Sequence, residues 1–140
     1  MEQTDRRIVD LLRADGRMSF TDLGKQLGLS TSAVHQRVRR LEERGVLAGY
    51  AARVDHVALG NALTAFMSIT PLDPAAPDDV PDRLRGIPEI EECHSVAGDM
   101  SYVLKVRVAS PAALEELIAK VRAAANVSTR TTIVLSTPWE

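Results

Sequence analysis

Residues 19–44 read SFTDLGKQLGLSTSAVHQRVRRLEER, and the order of caps, glycines and apolar positions in this stretch decides the fold. Ser19-Phe20-Thr21-Asp22 fits the capping pattern in which a serine and an acidic residue three positions later satisfy orphan amides reciprocally. Leu23 and Leu27 mark the inner side of a short helix, and Gly28 supplies the left-handed residue that ends it. Ser30 then caps a further helix whose Val34, Val38 and Leu41 share one face, until Gly45 terminates it. The connection Gly28-Leu29-Ser30 is too short for a wide excursion, so the two helices must cross sharply, as in a helix-turn-helix. Gly24 sits four residues before the turn glycine, where a missing side chain permits close approach at some cost in helix propensity.

The side that this last helix exposes carries the functional reading. With Val34 set inward and about 100° per residue, Ser32, Gln36, Arg39 and Glu43 fall on the opposite side, flanked by His35 and Arg40. Gln36 and the arginines can donate to base edges, where a bidentate pair discriminates by roughly 1–3 kcal/mol. The Ser30–Thr31 end presents free amides suited to a phosphate. Arg37 lies nearer the buried side, which suits a phosphate contact or an intramolecular ion pair better than base reading. Such a row is also what a solvated mixed-charge helix face looks like. The capped helix and glycine turn before it favour the DNA-binding reading.

Upstream, Thr4 is the expected N-cap of a first helix, with Ile8, Leu11 and Leu12 on its inner side and Gly16 as its stop. Downstream, Val46–Tyr50 is expected to be extended. The charge is divided in the same way: residues 1–60 carry a net +2 and residues 61–140 a net −4. A polyanion would therefore meet the first half.

The second half alternates strands and helices. Ala62–Ile69 is apolar on both faces and bounded by Pro71, a buried strand. Leu72–Pro77 is a proline-rich loop, and Val80, Leu84 and Ile87 mark a short helix. Ile90–Val96 and Tyr102–Val108 alternate on either side of Gly98-Asp99, a hairpin turn. Ser110-Pro111 opens a helix with proline at its first position, and Ser128–Leu135 is a final β-branched strand. Strand–helix–strand–strand–helix–strand is the split βαβ order, with both helices on one sheet face. The bare face predicts a dimer in which a second copy covers it. The competing arrangement is a monomer whose first domain lies there.

Several classes are excluded by what is missing. No apolar run approaches the roughly 18 residues of a membrane span, and the N-terminus lacks the pattern of a signal peptide. The lone Cys93 cannot form an internal disulfide, so a cytoplasmic protein is expected. His35, His56 and His94 are scattered, and Cys93-His94 point to opposite faces of a strand, so no zinc site is expected. Glu91 and Glu92 are strand-edge charges rather than an acid/base pair, and no phosphate loop or nucleophile elbow is present. Neither an enzyme nor a bound cofactor is expected.

A helix-turn-helix followed by βαββαβ resembles the leucine-responsive (Lrp/AsnC) family of transcription regulators. The stretches that carry the likeness are 27–30 (LGLS), 37–42 (RVRRLE), Gly45-Val46, Gly49-Tyr50, Gly98-Asp99 and the Thr129–Leu135 strand. The resemblance implies DNA-binding dimers that assemble further, often to octamers, with an amino-acid effector held between C-terminal domains. Carried over, the effector site falls at Ala97, Gly98, Asp99 and Met100, with Thr129, Thr131 and Thr132 as neighbours. Gly98-Asp99 is equally the signature of an ordinary tight turn. Where many relatives place an aromatic residue after Gly-Asp, Met100 stands here, and Tyr102 comes later.

The expected architecture is thus α+β. It comprises an N-terminal (winged) helix-turn-helix domain over 1–50, a linker strand or hinge over 51–61, and a C-terminal ferredoxin-like domain over 62–140. The expected DNA-binding residues are Ser30, Thr31, Ser32, His35, Gln36, Arg37, Arg39 and Arg40. The expected partners are double-stranded DNA, a small-molecule effector and further copies of the chain. The rival is a metabolite sensor that acts on an enzyme without touching DNA.

Overall fold

The computed structural model describes residues 1–140, which divide into two compact units, Met1–Val54 and Asp55–Glu140. The first contains α1 (Gln3–Ala14), α2 (Phe20–Leu27) and α3 (Thr31–Glu43). Ile8, Leu12, Leu23, Val34, Val38 and Leu41 form its core. Helical spacing on three short amphipathic segments brings these six positions together.

Two of the expected caps form. The Ser19 hydroxyl oxygen accepts the Asp22 amide at 3.0 Å, and the Ser30 hydroxyl oxygen accepts the Ala33 amide at 3.1 Å. Asp22 answers differently from the reciprocal pattern, because its carboxylate accepts the Ser19 hydroxyl proton at 2.8 Å. Thr4 is not a cap: the helix begins at Gln3 behind Glu2, whose side chain makes no capping bond. Gly28 adopts φ +67°, and a Cβ built on Gly24 would stand 2.5 Å from the Leu29 carbonyl oxygen. The crossing of α2 and α3 therefore requires both glycines, one for its φ and one for its missing side chain.

No strand forms directly after α3. Val46 and Leu47 donate to the Leu41 carbonyl at 2.9 and 3.1 Å, folding the chain back on the helix end. The expected strand at 46–50 is absent, and 51–61, expected as a linker strand or hinge, contains no strand. A strand needs a ladder partner for its backbone groups, and none lies beside it.

The second unit is one antiparallel sheet of β1 (Leu63–Pro71), β2 (Ile90–Ser95), β3 (Tyr102–Val108) and β4 (Val127–Ile133), in the order β2-β3-β1-β4. Helices α4 (Val80–Leu84) and α5 (Pro111–Ala125) supply the other half of the core. Inward-facing Ala65, Met67 and Ile69 of β1 and Tyr102, Leu104, Val106 and Val108 of β3 meet Leu84, Leu114, Leu117 and Val121. This is the ferredoxin-like βαββαβ fold.

The other face of β1 differs from expectation. It carries Thr64, Phe66, Ser68 and Thr70, so only Phe66 is apolar there, and it is 40% exposed. Around it lie Lys105 and Arg107 of β3 and, across from Ser68, Arg130 of β4. An alternating strand with one polar side suffices where helices cover only one sheet face. No helix of the chain is long and apolar enough to cross a membrane.

Candidate nucleic-acid interface and effector cleft

Helix α3 presents Thr31, Ser32, His35, Gln36, Arg39 and Arg40 to solvent, opposite the buried Val34, Val38 and Leu41. Ser30 uses its hydroxyl on the Ala33 amide and its carbonyl on the Val34 amide. The Thr31 and Ser32 amides keep no intrahelical partner and mark the end where an anion is favoured. The Thr31 hydroxyl lies 3.5 Å from that of Thr21, which ties the starts of α2 and α3.

The basic side chains are not equivalent. Arg39 donates from Nε to Glu43 at 2.8 Å, with both side chains more than half exposed. An exposed i,i+4 pair contributes only about 0.3–0.5 kcal/mol, so a base edge or phosphate can displace Glu43. Arg40 carries no ion-pair partner. Arg37 is committed elsewhere: its Nη1 donates to Glu2 and to Asp5, each at 2.8 Å. Those two carboxylates hold its pKa above the ordinary guanidinium value. His35 packs edge-on against Phe20, with ring centroids 5.5 Å apart.

A second feature lies at the β2–β3 hairpin. A cleft of about 600 Å³ is lined by Ala97, Gly98 and Met100, with Thr70, Asp78, Ser95, Ser101 and Tyr102. Gly98 has φ +139° with open space where a Cβ would stand, so backbone conformation rather than crowding calls for glycine. The Thr70 hydroxyl donates to Met100 Sδ at 3.6 Å.

The expected threonines do not join this cleft. Thr129, Thr131 and Thr132 lie on β4 opposite Ile69, Met67 and Phe66, so Thr132 is on the other sheet face from its two neighbours. Thr129 accepts the Arg122 Nε–H at 2.8 Å. Asp99 is exposed and outside the lining. Alternation along a strand separates residues that adjacency in sequence had grouped.

Sequence reasoning missed Asp78 and Tyr102 as cleft residues. The Tyr102 hydroxyl donates to the Asp78 carboxylate across 24 positions. That acceptor, with burial adding to it, pushes the phenol up to about 12. A phenol with a raised folded pKa keeps its proton after the unfolded chain has lost it. The stability it contributes is therefore complete below the ordinary value near 10 and disappears as pH rises through about 12. Tyrosinate absorbance of a Tyr50→Phe variant, in which Tyr102 is the remaining tyrosine, should show a midpoint near 12. Adding Asp78→Asn should return it toward 10; equal midpoints in the two proteins would contradict the assignment.

Comparison with known proteins matches both units. Residues 1–42 match the AsnC-type helix-turn-helix domain and residues 64–140 the Lrp/AsnC ligand binding domain. The chain is 56% identical over 137 residues to the HTH-type transcriptional regulator LrpA of Mycobacterium tuberculosis, covering 98% of this chain and 91% of that protein. It is 37% identical over 140 residues to the leucine-responsive regulatory protein of Escherichia coli, covering 96% and 85%. Among solved structures, the feast or famine regulatory protein from M. tuberculosis complexed with L-methionine superimposes with a TM-score of 0.97 at 55% identity, covering 99% of this chain and 95% of that one. LrpC of Bacillus subtilis gives 0.89 at 31% identity, covering 98% and 96%.

Proposed function

The chain belongs to the Lrp/AsnC family of DNA-binding transcriptional regulators, not enzymes, and from that premise we propose which residues read DNA and where the effector sits. Ser32, Gln36, Arg39 and Arg40 enter the major groove, while the Ser30–Thr31 end approaches a phosphate and His35, braced by Phe20, lies at the margin. The observation that carries this reading is the unobstructed outward row of α3, fixed in direction by the Gly28 turn and the Ser30 cap. Gln36→Ala and Arg39→Ala should each relax base preference at one position by roughly 1–3 kcal/mol. Selection from randomised duplexes measures this, and unchanged preference in both variants removes them from base reading.

The effector is an amino acid held at the hairpin cleft. Backbone amides of Ala97, Gly98 and Met100 suit its carboxylate, the Asp78 carboxylate suits its ammonium group, and the Met100 side chain offers an adaptable apolar contact. The methionine seen in the M. tuberculosis relative supports this class of ligand. Asp99, Thr129, Thr131 and Thr132 act only if another copy brings them to the cleft. Calorimetric titration with single amino acids tests the assignment, with Asp78→Asn expected to abolish any heat of binding.

Two copies join through the open sheet face around Phe66, and dimers assemble further, up to an octamer. Two copies then present two reading helices to half-sites about one helical turn apart. The effector acts by binding one assembly better than another, since only a difference in affinity shifts an equilibrium. Light scattering with and without the amino acid reads both the copy number and the shift.

A further inference from the structure

We propose that Arg37, although it belongs to the DNA-reading helix, is a positioning residue that contacts no DNA and sets the pitch of α3 against the acidic start of α1. The proposal rests on the reading of α3 as the DNA-facing element. Arg37, Arg40 and Arg44 recur at i, i+3 and i+7 and so share one flank of α3. Two of them are free of ion pairs, and the third is not. Arg37 is 24% exposed and its Nη1 serves two carboxylates at once, Glu2 and the 14%-exposed Asp5.

The surroundings make this a clamp rather than a waiting phosphate ligand. Two carboxylates already accept from the one Nη1 of Arg37, so this guanidinium is locally neutralised. A phosphate would have to expel both acids and then sit beside them. The notch also contains Arg40 and Arg44, whose guanidinium groups are not held by ion pairs and can meet a phosphate in place of Arg37.

Glu2, which precedes α1 and makes no capping bond, turns its side chain to α3. One turn further along α1, Ile8 packs with Val34, Val38 and Leu41. α3 is thereby held on α1 by an apolar contact and, one turn away, by a charged one. Together with the Gly28 turn and the packing of Leu23, these two contacts set how α3 tilts on α1. Gln36, the neighbour of Arg37, would be displaced by any change in that tilt.

The test uses the full chain, a duplex selected from a random pool and a scrambled duplex, over a salt series. Arg37→Met should lower the ratio of selected to scrambled affinity about 5- to 100-fold, comparable to losing one base contact. The slope of log affinity against log salt should stay at the parent value. Arg40→Met should instead shrink that slope by about 0.9, the signature of one lost phosphate contact. Exchanging the charges, Asp5→Arg with Arg37→Glu, should recover preference, because it restores the clamp while leaving no cation at position 37.

The opposite outcome is equally plain. If Arg37→Met shrinks the salt slope by about 0.9 and the exchanged pair recovers nothing, Arg37 is a phosphate ligand and the proposal is overturned. Should Arg37→Met fail to fold, Arg37→Lys keeps the charge with a single-point contact. It should then show an intermediate ratio at the parent slope; a smaller slope or an unchanged ratio overturns the proposal. A slope flat in the parent and in Arg40→Met would overturn the DNA-facing reading beneath it, which separates the two failures.

Discussion

Leu41→Ala is expected to unfold the Met1–Val54 unit at temperatures where the Asp55–Glu140 unit remains folded. Leu41 is 1% exposed and is one of six residues in the N-terminal core. Truncating a buried leucine removes its transfer free energy and leaves a cavity, a loss of about 2–5 kcal/mol. A unit of this size has a total stability of only about 3–8 kcal/mol, from ~0.05–0.15 kcal/mol per residue. The loss ranges from about a quarter of the margin to all of it. The Leu41 carbonyl bonds to Val46 and Leu47 are made by the backbone and survive the substitution, so the effect isolates packing. Amide exchange resolved by residue should show protection lost across 3–43 and retained across β1 and β3. Leu41→Met, which roughly conserves volume, should cost less than about 1.5 kcal/mol. Equal losses in the two units would mean that they do not unfold separately.

Gly24→Val is expected to cost about 3 kcal/mol or more, at the upper end of what overpacking a filled interior brings. On propensity alone the exchange would be favourable, since glycine is the poorest helix former after proline. The structure reverses that sign. A Cβ at position 24 meets the Leu29 carbonyl oxygen at 2.5 Å, and that oxygen is backbone within the turn joining α2 to α3. The clash cannot be relieved by a rotamer; α3 must move. Gly24→Ala meets the same atom with less bulk and recovers about 1 kcal/mol of propensity, so its net loss should be smaller, about 1–2 kcal/mol. Urea midpoints for the two variants read the stability, and DNA affinity at fixed salt reads the displacement of α3. A variant at either position 24 substitution that is more stable than the parent would show that the turn can relax.

The same glycine shows how far local sequence reaches. The departure at Gly24 was visible five residues from the carbonyl that explains it, as a missing side chain near a turn. Its sign needed the distance to Leu29. The candidate interface divides in a similar way. Gln36, Arg39 and Arg40 could be placed outward from helical period alone, because Val34, Val38 and Leu41 define the buried side within the same helix. The lean of Arg37 toward the buried side was legible too, but the choice between a phosphate and an ion pair was not, because Glu2 and Asp5 lie 35 and 32 positions away. At the cleft, the hairpin residues Ala97, Gly98 and Met100 were legible and their partners Asp78 and Tyr102 were not.

Sequence alone determined whatever depends on residues within a turn or two of each other. The Ser19 and Ser30 caps, the Gly28 turn, the inward faces of the helices and the order βαββαβ all follow from backbone hydrogen bonding and side-chain period, which are local. Tertiary structure alone decided what long-range neighbours do to those elements. It left 46–61 without a strand partner, divided Thr129, Thr131 and Thr132 between two sheet faces, and gave the inward-leaning Arg37 two carboxylates as partners. A polar group's role is set by which charge or donor comes within hydrogen-bond reach, and that distance exists only once the chain has closed on itself.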